Sequence, residues 1–142
     1  MAAIKLDTVR SGVRLLSGLM KAADNREDYN LSKANGDKRL SPFELKEFKD
    51  AYGDGASLDK AMTAIHKYAQ AKFGVKNPST TQLNQALADA MKFTARADID
   101  KSKDLSPTER KSLAKTWDSV IQFAKDYQGT SVRDIVSPRG AP

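Results

Sequence analysis

Apolar residues recur at helical spacing along almost the whole chain, and this pattern restricts it to an all-α fold. The clearest stripe is Leu58, Met62, Ile65, Ala69 and Phe73. Steps of three and four residues place such side chains on one face of a helix. A first helix is predicted from about Asp7 to Ala23, with Val9, Val13, Leu16, Met20 and Ala23 facing inward. Gly12 and Gly18 weaken it by about 1 kcal/mol each relative to alanine. They also leave room for a neighbour to pack closely. Nothing in the chain reads as a strand longer than two or three residues.

The helix ends carry their own signals. Ser41-Pro42-Phe43-Glu44 and Ser106-Pro107-Thr108-Glu109 each join an N-cap serine, a proline at the first helical position and a glutamate that completes a capping box. Ser79 and Gln82 make a third box, and Ser57 is the expected cap of the Leu58–Phe73 helix. Gly53-Asp54-Gly55, Gly74 and Gly129 read as stops. About five helices follow, opening near Asp7, Ser41, Ser57, Ser79 and Ser106, the last reaching about Tyr127. Residues 1–130 are expected to form one helical domain and residues 131–142 a flexible tail.

Composition narrows the function classes. The 142 residues suit one domain with one core. There is no cysteine, which excludes disulfides, thiol catalysis and thiolate metal sites. No stretch approaches the roughly 20 apolar residues that span a bilayer. The first residues lack the apolar run of a secretory signal, so a cytoplasmic location is expected, unless export uses another route. The net charge of +6 divides equally between residues 1–74 and 75–142, so no basic arm stands out. Such a charge permits weak attraction to nucleic acid without pointing to it as a partner. His66 is the single histidine and reads as a surface or boundary residue. It has no second histidine with which to hold zinc, and no Ser–His–acid set can be argued around it. No enzyme activity is expected.

One segment repeats. Asn35-Gly-Asp-Lys-Arg-Leu-Ser-Pro-Phe-Glu44 matches Asp100-Lys-Ser-Lys-Asp-Leu-Ser-Pro-Thr-Glu109, with identity at Lys38/Lys103, Leu40/Leu105, Ser41/Ser106, Pro42/Pro107 and Glu44/Glu109. Self-similarity of this kind suggests one structural unit used twice. The unit is helix, polar loop, helix. A capping box alone explains Ser-Pro-x-Glu, but not Asp98 and Asp100 crowded just past a helix C-terminus, where the macrodipole disfavours negative charge. A bound cation would resolve that conflict.

Residues 98–109 resemble the calcium-binding loop of the EF-hand family, in which oxygen ligands stand at positions 1, 3, 5, 7 and 9, with a bidentate glutamate at 12. The resemblance implies that Asp98, Asp100, Ser102, the main-chain carbonyl of Asp104, Ser106 and Glu109 surround calcium, with magnesium as the second candidate. It also implies that Leu105, at position 8, pairs with Leu40 of the other loop. Lys103 stands where the family has glycine, at a backbone position that costs a side chain about 1 kcal/mol. With Lys101 beside it, weak binding is expected.

The first loop departs further. Counting twelve back from Glu44 puts Lys33 at position 1, and an ammonium has no acceptor to offer. Asn35, Asp37, the carbonyl of Arg39 and Glu44 remain as a degenerate second set, with Asp28 entering only if the loop is longer than standard. The Leu58–Phe73 helix lies between the two units. It could fill the groove that calcium sensors open to amphipathic helices, or simply cap the core. The resemblance therefore implies two EF-hand-like units with an extra helix between them. Their role would be calcium binding that stabilises the fold or modulates contact with a protein. The alternatives are an interaction module with degenerate loops and a basic nucleic-acid-associated protein.

Overall fold

The computed structural model describes residues 3–24, 38–53 and 55–136. Among them the order is β1 Ile4–Lys5, α1 Leu6–Asp24, α2 Pro42–Tyr52, α3 Ser57–Phe73, α4 Thr80–Ala97, β2 Asp104–Leu105, α5 Pro107–Lys111, α6 Lys115–Asp126 and α7 Val132–Ile135. The protein is mostly helical, as its periodicity requires. None of these helices is long and apolar enough to cross a membrane.

Three capping boxes form as read. The hydroxyls of Ser41, Ser79 and Ser106 accept the amides of Glu44, Gln82 and Glu109, and those side chains return to the serine amides. Ser57 does not cap α3; Ala56 holds that position without a side-chain bond, and Ser57 is the first helical residue. Gly74 closes α3 in the left-handed conformation, φ 64°.

The core is built by α1, α3, α4 and α6. Helix α3 packs on α6 and α4, and α1 packs on the same two helices. Leu16, Leu19, Leu58, Met62, Ile65 and Phe123 meet there, fully buried. The helix between the two repeats is therefore a central member of the core. Close approach explains the glycines of α1. A Cβ on Gly12 would lie 2.3 Å from Ala124 Cβ on α6, and one on Gly18 would lie 2.6 Å from Val132 Cγ2 on α7.

Three further features differ from the sequence reading. The expected last helix is two helices, α5 and α6, with Ser112, Leu113 and Ala114 between them. The Ser112 hydroxyl donates to the Glu109 carbonyl at 2.6 Å, a local bond that competes with helix propagation. Arg110 spans the break through Asp118 and Gln122. Second, the segment from 131, read as the start of a tail, forms α7 and buries Val136. Third, Leu105 does not pair with Leu40. It lies opposite Ile4 in the β1–β2 ladder. The Leu40 amide donates to Pro78 O at 2.8 Å, and its carbonyl meets His66 Nε2 at 2.7 Å. Both main-chain groups of Leu40 are thus occupied.

The two loops are instead held crosswise. In the second, Leu6 N–H at the start of α1 donates to Lys103 O at 2.9 Å. In the first, Thr80 N–H at the start of α4 donates to Lys38 O, also at 2.9 Å. Each loop is pinned by the segment that opens the entering helix of the other unit.

Candidate metal centre

The loop from Asp98 to Glu109 leaves the C-terminus of α4, reverses direction and enters α5. Asp98 is the C-cap of α4 and is buried. Its Oδ2 accepts the Lys103 amide at 2.9 Å, and its Oδ1 accepts the Ser102 amide at 3.2 Å. These bonds curl the chain back over the helix end. Asp100 Oδ1 accepts the Ser102 amide at 3.1 Å. Ser102 Oγ donates to the Asp104 carbonyl at 3.0 Å, which brings positions 5 and 7 together.

Glu109 closes the ring from the far side. Its Oε1 accepts the Ser106 amide at 2.8 Å as half of the capping box. Its Oε2 reaches back to the Ile99 amide at 2.8 Å. One carboxylate therefore ties the first turn of α5 to the start of the loop. The Ser106 hydroxyl is committed to the cap, where it accepts the Glu109 amide at 3.1 Å.

The outcome is a convergence of hard oxygens. One carboxylate oxygen each from Asp98, Asp100 and Glu109 lies within 4.8 Å of the others. Calcium–oxygen bonds of about 2.3–2.6 Å place two ligands of one ion at most about 5 Å apart, so the three fit a shared ion. Asp104 O and Ser102 Oγ are adjacent. Hydrogen bonds from Ser102 hold the Asp100 carboxyl below its ordinary value. The Ser106 amide does the same for Glu109, with smaller help from the Asp100 and Ile99 amides. Both groups stay ionised through the neutral range, as an ion site requires. A set made only of oxygens suits calcium or magnesium, not the soft metals.

Lys103, at position 6, has φ 67°, and Lys101 has φ 54°. The glycine-favouring turn is present and is occupied by lysines. Lys38 takes the same conformation in the first loop, φ 64°.

That first loop is anchored differently from the count made back from Glu44. The Lys38 amide donates to Oδ2 of Asp24 at 2.7 Å, just as Lys103 donates to Asp98. Asp24 ends α1 and is buried, as Asp98 is at the end of α4. Asp24, and not Lys33, is therefore the structural counterpart of Asp98. The acid and its lysine lie fourteen residues apart in the first loop and five in the second, so the first is nine residues longer. Glu44 matches Glu109, buried and bonded to the Ser41 amide at 2.8 Å. Arg39 bridges Ser79. Lys33, Asn35, Asp37 and Asp28 lie outside the described residues.

His66, read as a surface or boundary residue, is buried on α3 against the first loop. Burial lowers its pKa, against the raising effect of its bond to the Leu40 carbonyl. Asp24 and the crosswise donors Leu6 and Thr80 have no signature in the repeat, because self-similarity begins only after the inserted residues. Comparison with protein-family models, curated proteins and solved structures finds no match for this chain.

Proposed function

We propose that the protein binds calcium through the loop 98–109, as an EF-hand-like unit, and that the ion stiffens a closed helical domain. The observation that carries this reading is the convergence of Asp98, Asp100 and Glu109 on one point, beside the carbonyl of Asp104 and the hydroxyl of Ser102. In this reading the five residues supply the shell, and the first loop, with Lys38 at the turn and a nine-residue extension, has lost most of its affinity. Burial of α3 in the core favours a structural role over a sensor with an open groove. Binding is weak, because left-handed lysines at two loop positions add strain and positive charge.

Thermal melting in calcium tests the proposal. The buried Trp117 is the natural reporter of unfolding. Calcium at one hundred times the dissociation constant stabilises by about 2.7 kcal/mol through linkage. Asp98→Ala is expected to abolish that gain. A melting temperature that does not move with calcium would reject the reading.

A second reading is favoured by the same carboxylates. Each already accepts backbone amides, so the loop can hold its shape as a metal-free structural turn in an interaction module. The melting experiment separates the two, since only the first predicts a calcium-dependent shift.

A further inference from the structure

We infer that the N-terminal segment Ile4–Leu6 is a positioning element of the calcium loop, so that ion affinity at 98–109 is set from the other half of the molecule. The affinity half of this inference rests on the calcium reading; the clamp itself does not.

The geometry is specific. Lys103 is the residue at which the loop turns through the left-handed region, and its amide is held by Asp98. Its carbonyl accepts Leu6 N–H at 2.9 Å. In an antiparallel ladder, hydrogen-bonded pairs alternate with unbonded ones. Leu6–Lys103 stands at a bonded position, joined by the Leu6 N–H alone because the Lys103 N–H goes to Asp98, so Ile4–Leu105, two residues along, is a bonded pair too. Two bonded pairs therefore fix the main chain from 103 to 105, between the ligands Ser102 and Glu109. Asp104, whose carbonyl is the position-7 ligand, lies between them, opposite Lys5. Its outward groups face the loop, where Ser102 Oγ donates to its carbonyl. Loosening β1 lets that carbonyl leave the shell. By linkage, an ion that fixes Asp104 must equally tighten β1.

The fold supplies a matched control. Thr80 N–H makes the equivalent bond to Lys38 O and clamps the first loop. Leu6 and Thr80 are each the first residue of a helix, where proline is tolerated; at Leu6 it removes the N–H bond, and at Thr80 the N–H bond together with the longer Oγ1 bond to the same Lys38 carbonyl, 3.3 Å. Leu6→Pro and Thr80→Pro thus remove one clamp each. Leu6→Val keeps the N–H and changes only the side chain.

The experiment is amide hydrogen exchange on the full chain, with calorimetric calcium titration of the same variants. Without metal, Leu6→Pro is expected to speed exchange at Leu105 and leave Leu40 unchanged; Thr80→Pro does the reverse. With calcium, Leu6→Pro weakens binding by roughly three- to tenfold, the scale of one hydrogen bond. Thr80→Pro and Leu6→Val stay within about twofold of the parent, since neither removes a bond to this loop. In the parent protein, calcium slows exchange at Leu6. The inference is overturned if Leu6→Pro leaves Leu105 exchange unchanged, or weakens calcium no more than Thr80→Pro does. Were the parent to give no calcium heat while Leu105 is still loosened, the calcium reading would fall and the crossed clamp would stand.

Discussion

Lys103 concentrates the conflicts of the site in one residue. It occupies a left-handed turn, φ 67°, where a Cβ costs about 1–2 kcal/mol, and it adds a positive residue to a loop that carries three converging carboxylates. Lys103→Gly is expected to relieve the strain, offset in part by glycine's larger unfolded-state entropy. The net gain is about 1 kcal/mol, read as a rise in melting temperature of roughly 2–4 °C. Calcium should also bind more tightly. A lower melting temperature would show that the lysine side chain makes contacts that outweigh the strain. The turn itself was legible in the repeat, because Lys38 and Lys103 align and both adopt it. Asp24 was not. It lies before the nine-residue extension of the first loop, and an alignment anchored on Ser-Pro-x-Glu cannot cross an insertion.

At the scale of elements, α1 is fixed by what its glycines admit. Gly12 lets α6 approach until Ala124 Cβ stands 2.3 Å from where a Cβ would be. Gly12→Ala must push α6 away, at a cost of about 1–3 kcal/mol. Ala124→Gly removes the methyl but leaves Ala124 Cα 2.7 Å from the added Cβ, so the double variant should recover only part of the Gly12→Ala cost, and still be more stable than the two single costs added together predict. Strict additivity in urea melts would place the strain elsewhere. The caps of α2, α4 and α5 were readable because a capping box is local chemistry, complete within four residues. The break between α5 and α6 was not. It depends on the Ser112 hydroxyl choosing the Glu109 carbonyl and on Arg110 reaching Asp118, and periodicity carries neither.

The whole molecule is tied together across its repeats. Each loop borrows a donor from the other unit, and α3 adds a third tie through His66 to the Leu40 carbonyl. Sequence periodicity implied a helical core, but the order in which units pair is a non-local choice that a local pattern does not encode. The His66 tie has a pH signature. Burial lowers the His66 pKa, so the unfolded chain takes up a proton that the folded protein resists. Its contribution to stability is whole above the ordinary value of 6.5 and is lost as pH falls below it. Urea midpoints should therefore drop between neutral pH and the upper edge of the carboxylate range. His66→Gln should flatten that slope, and an unchanged slope would remove His66 from the account. A closed domain of this kind should also bind ANS no better with calcium than without; a large fluorescence rise would mean that a groove opens.

Calorimetric titration with calcium, on the parent protein and Glu109→Gln, bears most directly on the central claim. Gln82 already completes the capping box of Ser79, so a glutamine at 109 can keep the cap while removing the charge that would close the proposed ion shell. The parent is expected to give saturable heat from one site, with a dissociation constant roughly between micromolar and millimolar. In Glu109→Gln, affinity should fall at least about tenfold, and metal-free stability should fall by about 1–2 kcal/mol, because the amide nitrogen cannot accept the Ile99 N–H that Oε2 holds. No heat at millimolar calcium in the parent, or equal affinity in the two proteins, would contradict it.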